Sequence, residues 1–166
     1  LIAVWKDNML VNIDSQVPNT VVFQALKENK IPELAGSINL KREVNFKNSR
    51  FDIYFESKEQ KGFIEVKGVT LENNSISMFP DAPTERGTKH AIEMVEAVKE
   101  GYMGIIFFLI QMKGPKLFKL NWKMDENFSK AVKFASENGV HILAYDSIVA
   151  ENSIILDKPI KIDLEQ

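Results

Sequence analysis

The chain contains no cysteine and only two histidines, His90 and His141. That excludes a disulfide framework and a zinc centre built from thiolates and imidazoles, and it fits a reducing, cytoplasmic location. Long apolar runs are also missing. The longest, Ile105 to Ile110, is strand-sized and falls far short of the roughly 20 residues a membrane helix needs, so no membrane partner is expected. Excess positive charge is absent too: 21 Lys and Arg stand against 23 Asp and Glu, for a net charge of −2. Any contact with a polyanion must therefore come from a local basic patch. Leu1 to Val4 show neither a charged leader nor a cleavage pattern. The chain opens abruptly on Leu1, in strand-like sequence, and reads as a piece of a longer protein.

What is present suits one folded unit. In 166 residues, 45% are apolar and 27% charged, enough for a single α/β core and too few for two independent ones. Residues 1–13 read as two short strands around Lys6-Asp7-Asn8. Pro18-Asn19-Thr20 signals a helix start, with Asn19 as its cap, and the helix runs to about Asn29 with Val22, Phe23 and Leu26 on one face. From Ile38 to Phe46 apolar residues alternate with polar ones. The strand's anomaly is Arg42 on the apolar side, read as a packed stem with its head reaching water or a carboxylate. Strands follow at 51–56 and 63–69, then a turn at Asn73-Asn74 and an irregular link through Pro80 and Pro83. Thr84 caps an amphipathic helix ending at Gly101, with Ala91, Ile92, Val95 and Val98 inward. The strand 102–111 is apolar on both faces and is expected at the centre of a sheet. A short strand at 117–122, a helix capped by Asp125, and a strand at 140–145 complete a β-α-β crossover with it. Two short strands, 153–156 and 160–164, end the chain. His141, Trp5 and Trp122 are read as packing residues.

The chemistry concentrates in one hairpin. Arg50-Phe51-Asp52-Ile53-Tyr54-Phe55 pairs with Phe63-Ile64-Glu65-Val66-Lys67-Gly68, and a turn near Glu59 sets Asp52 opposite residues 65–67. Burying Phe51, Ile53, Ile64 and Val66 together forces Asp52, Glu65 and Lys67 onto one face. Two carboxylates suit Mg²⁺ or Mn²⁺, hard ions that take oxygen ligands, and Lys67 can position a water or stabilise charge developing on a phosphate. An ion-paired sheet face reads from the same residues equally well. Arg86, Lys89 and His90 fall in the first turns of the helix after Thr84. Cations there oppose the helix dipole unless they face anions such as phosphate. Glu43, Asn19 and Gln24 are weaker additions to the site, and His90 is either a proton shuttle or a hydrogen-bonding residue.

These residues carry a resemblance. Val17-Pro18-Asn19, Ile31-Pro32-Glu33-Leu34, Arg42-Glu43-Val44, Ser49 to Asp52, Glu65-Val66-Lys67, the block Phe79 to His90, and Gly139 to Tyr145 are similar to the sugar fermentation stimulation protein (SfsA) family over nearly the whole chain. The resemblance implies a mixed central β-sheet flanked by helices, restriction-endonuclease-like in the PD-(D/E)XK sense, over residues 14–166. Residues 1–13 would be a remnant or connector of an N-terminal OB-like barrel that is mostly missing. It implies Asp52, Glu65 and Lys67 as the nuclease-type triad. The candidate Mg²⁺ or Mn²⁺ ligands are Asp52, Glu65 and Val66, and the candidates for contact with nucleic acid are Arg42, Arg50, Arg86, Lys89 and His90. Phe51 stands where the fold label has proline. The implied partner is DNA. The expected function is DNA binding with a nuclease-like metal site, as a metal-dependent phosphodiesterase or, alternatively, a non-catalytic regulator of sugar (maltose) metabolism genes.

Overall fold

In the computed structural model, which describes residues 2–166, strand alternation and helix periodicity sort the chain into three layers. The central layer is a six-stranded sheet. Its strands are β3 (Ile38–Phe46), β4 (Ser49–Glu56), β5 (Lys61–Val69), β8 (Met103–Ile110), β10 (His141–Ala150) and β11 (Ser153–Pro159), ordered β11-β10-β8-β5-β4-β3. β5, β8 and β10 run parallel, and the outer pairings are antiparallel. As its two apolar faces require, β8 lies inside: Ile105, Phe107 and Leu109 point into one core, Ile106, Phe108 and Ile110 into the other. Each fully buried large side chain of this kind stabilises by about 1.5–3 kcal/mol.

One core is closed by helix α1 (Val17–Lys27), which buries Val21, Val22, Ala25 and Leu26 against Ile53, Phe55, Ile64 and Val66. The other lies under α2 (Glu85–Lys99), α3 (Glu126–Glu137) and a second, four-stranded sheet of β6 (Leu71–Asn73), β7 (Ile76–Phe79), β9 (Leu117–Leu120) and β12 (Lys161–Asp163). The expected caps Thr84 and Asp125 are in place, accepting from Gly87 N and Phe128 N at 2.9 Å each. The second oxygen of Asp125 accepts from Thr84 N at 2.7 Å, so one carboxylate ties the two helix starts together. The hairpin of β1 (Ala3–Lys6) and β2 (Met9–Asn12) matches the reading of residues 1–13, apart from Leu1, which lies outside the described residues. β2 is tied to the end of β8 through Asn12 N donating to Gln111 O at 2.9 Å.

The structure departs from the sequence reading in several places. Phe51 does not share a core with Ile53, Ile64 and Val66; it packs on the α2 side with Phe46 and Phe63. Asn19 is inside α1, and its helix starts from Gln16 with no side-chain cap. Ile92 is exposed while His90 and Met94 take the inward positions of α2. β6 and β7 occupy what reads as turn and link. Trp5 and His141 are exposed, not packed. In β3 the expected buried face is only half covered, because this is the sheet edge: Ile38 is exposed, and Asn39 and Glu43 adopt left-handed φ of 53° and 54°, with the pairing to β4 shifting between Ile38 and Lys41. No helix among the described residues is long and apolar enough to cross a membrane.

Candidate metal centre and its surroundings

The site forms where two strands part. β4 pairs with β5 from Glu56↔Lys61 to Ile53↔Ile64 and there the ladder stops, although β5 continues along β8 as far as Val69. Asp52 fills the opening: its Oδ2 accepts from Val66 N at 2.7 Å, replacing a ladder bond, and its Oδ1 accepts from Asn19 Nδ2 at 2.9 Å. In extended backbone the N–H and C=O of one residue face the same edge, so the Val66 carbonyl also looks into this gap.

Glu65 is on the adjoining position of β5 and is only 4% exposed. Lys67 Nζ donates to its Oε2 at 2.8 Å, and His90 Nδ1 lies 2.5 Å from the same oxygen. Its Oε1 is buried with no hydrogen-bond partner. A buried carboxylate oxygen without a partner costs free energy comparable to a lost hydrogen bond unless something occupies it. A hard cation fits that need, and the donors at hand are Glu65 Oε1, the Asp52 carboxylate and the Val66 carbonyl. Among the described residues no three His, Cys, Asp or Glu side chains converge, so water would complete any coordination shell.

The two acids are driven in opposite directions. Burial, and then the charge of Glu65, pushes the Asp52 carboxyl up to about 6. Burial also pushes Glu65 up, but the hydrogen bond from His90 and the charge of Lys67 outweigh it and hold Glu65 down at about 2. At neutral pH the pair is thus anionic, Glu65 through its partners and Asp52 at a cost.

His90 is brought in by α2, whose inward positions Gly87, His90, Ala91 and Met94 follow helical spacing. Its ring stands edge-on to Phe51, 6.5 Å between centroids. It therefore lies beneath the surface, against Glu65, and not among the cations expected to meet nucleic acid. Those cations are dispersed. Arg86 and Arg50 border an open depression over the β3–β4 turn, where Lys89 Nζ donates to Asn48 O at 2.5 Å. Arg50 also faces Glu43 at 3.7 Å, and both side chains are exposed. Arg42 is on the α1 side, its guanidinium 4.5 Å from the Phe23 ring centroid, and Gln24 bonds to Glu28. Asn19 and His90 are the site residues whose partners strand spacing could not reveal, because helices deliver them.

Residues 16–153 match the family described as "Sugar fermentation stimulation protein RE domain". The chain belongs to this family. A sugar fermentation stimulation protein homolog from Alkaliphilus oremlandii (strain OhILAs) is 64% identical over 98% of this chain and 71% of its own length. One from Clostridium botulinum (strain Langeland / NCTC 10281 / Type F) is 51% identical, over 99% of this chain and 72% of its own. Among solved structures, Pyrococcus furiosus SfsA in complex with Ca²⁺ superposes with a TM-score of 0.91 at 26% identity, covering 98% of this chain and 71% of that one. The mixed α/β architecture, sheets flanked by helices, is shared with it.

Proposed function

We propose that this chain is a nuclease-like domain of the PD-(D/E)XK kind that binds Mg²⁺ or Mn²⁺ and cleaves DNA phosphodiesters. The observation that carries the reading is the buried, unpartnered Oε1 of Glu65, whose carboxylate acts on that of Asp52 where β4 and β5 separate. The Ca²⁺ complex of the similar Pyrococcus furiosus protein supports a hard divalent cation in this family. Asp52, Glu65 and the Val66 carbonyl would hold the ion, which when bound supplies an activated water and offsets charge on the phosphate. Lys67, 15% exposed at the side chain and anchored on Glu65, presents its ammonium toward developing phosphate charge. Asn19 fixes the rotamer of Asp52. Arg50, Arg86 and Lys89 offer cations to the DNA backbone. The relatives' additional length, more than a quarter of each, would include the OB-like barrel and add DNA contacts. The setting is cytoplasmic.

The test is a cleavage assay on several DNA forms with Mg²⁺ or Mn²⁺, beside Glu65→Ala and Lys67→Ala. Metal-dependent cleavage by the wild type, lost by about 10²-fold or more in both variants, is the expected result. Inactivity of the wild type across substrates and metals sinks the enzymatic reading. The alternative, a DNA-binding regulator of sugar metabolism genes without catalysis, is favoured by the engagement of Lys67 with Glu65. It predicts salt-dependent DNA association that survives Glu65→Ala.

A further inference from the structure

We infer that His90 is a positioning residue that makes Glu65 a one-oxygen ligand and so biases the site toward small, six-coordinate cations over Ca²⁺. This inference rests on the metal site proposed above.

A carboxylate can meet a cation through one oxygen or both. Ca²⁺ readily takes both, at roughly 2.3–2.6 Å and in coordination numbers of about 6–8. Mg²⁺ keeps a near-ideal octahedron with shorter bonds and is served by single oxygens plus water. In this site the two oxygens of Glu65 are treated unequally. Oε2 receives both Lys67 Nζ at 2.8 Å and His90 Nδ1 at 2.5 Å, while Oε1 receives nothing. An ionised carboxylate only accepts, so at 2.5 Å the hydrogen must sit on His90 Nδ1. The 3.4 Å between Lys67 Nζ and His90 Nδ1 is then the gap between two donors that share one acceptor, not a bond between them.

The two donors differ in stiffness. Lys67 is a flexible side chain from the strand that carries Glu65. His90 comes from a separate element, is wedged beside Phe51, and has a side chain 7% exposed. Lys67 alone can follow a rotating carboxylate; His90 cannot. It is the imidazole that pins Oε2 on the α2 side and leaves Oε1 as the oxygen without a partner.

The test compares His90→Ala with His90→Asn, whose amide nitrogen sits near the place of Nδ1, by calorimetric titration of Mn²⁺ and of Ca²⁺ into each metal-free protein. The readout is the ratio of the Ca²⁺ and Mn²⁺ dissociation constants. In His90→Ala the preference for Mn²⁺ over Ca²⁺ is expected to shrink by about tenfold, in the range seen when a ligand's outer partner is removed. His90→Asn, which keeps a donor near the place of Nδ1, is expected to bring the ratio back toward that of the wild type. General loosening of the fold weakens both ions together and leaves the ratio in place; that result, or a ratio unchanged in His90→Ala, overturns the inference while the metal site stands. Wild-type protein that binds neither ion removes the metal site itself, and the inference with it.

Discussion

Asp52 and Glu65 carry the same charge on adjoining strands, yet their contributions to stability have opposite signs. The folded pKa of Asp52 is raised from 3.8 to about 6, so ionising it in the folded protein costs on the order of 3 kcal/mol at neutral pH. That cost is present in full above about pH 6 and disappears as the pH falls below the unfolded value. Glu65, lowered from 4.5 to about 2, contributes stability that is full above the unfolded value and lost as the pH drops toward 2. Asp52→Asn should therefore raise the melting temperature of the metal-free protein at about pH 7.5 by about 5 °C or more. The gain should vanish near about pH 4. Glu65→Gln should do the reverse at about pH 7.5, costing about 3 kcal/mol, because it strands the charge of Lys67 in a buried setting. Scanning calorimetry of both variants at the two pH values checks the pair; equal and same-signed shifts would refute the assignment.

At the scale of elements, the site depends on how closely neighbours can approach. Gly68 of β5 leaves room for Gln111 and for Pro18 at the start of α1: a Cβ there would lie 2.4 Å from Gln111 Oε1 and 2.8 Å from Pro18 Cγ. Gly68→Ala should push α1 outward, stretch the Asn19–Asp52 bond, and destabilise by about 1–3 kcal/mol, read by chemical denaturation. Asp125 joins the starts of α2 and α3 through the Thr84 backbone N–H, so Asp125→Ala loosens the very residue whose hydroxyl, removed in Thr84→Ala, caps α2. Each should cost about 1 kcal/mol, and the double-mutant cycle should show a coupling of about 0.5 kcal/mol or more; strict additivity would mean the helix starts are independent. The same scale explains what sequence could reveal. The shared face of Glu65 and Lys67 was legible because strand alternation is local and a two-residue period leaves little freedom, whereas Asp52 reaches the site through the gap between β4 and β5, bonded to Val66 N and Asn19. Asn19 read as a cap and His90 as an open question because their partners lie far along the chain, on other elements. Phe51 ended in the opposite core from Ile53 because the strands separate at Asp52, and no alternation pattern encodes a fork. β6 and β7 escaped notice because three- and four-residue strands carry too few positions for a period to show.

For the molecule as a whole, positive groups are distributed on both sides of the sheet instead of forming one basic face, in keeping with a net charge of −2. Arg50 and Arg86 share the depression over the β3–β4 turn, whereas Arg42 stacks on Phe23 beyond the sheet. If DNA is held on the first side, Arg50→Ala with Arg86→Ala should lower the slope of log affinity against log salt by about 1.8, roughly 0.9 for each phosphate no longer neutralised, and Arg42→Ala should leave it unchanged. Fluorescence anisotropy on a duplex across a salt series decides; an equal loss for Arg42→Ala would move the DNA path to the α1 side. The edge strand β3 has a further consequence for how copies of this chain meet. Its left-handed Asn39 and Glu43 break the regular row of amides and carbonyls that another strand would need as a template. The sheet therefore ends at β3 even with Ile38 exposed there, and a copy of the chain that meets this edge finds an interrupted ladder where zipping into a continuous sheet would need an unbroken one.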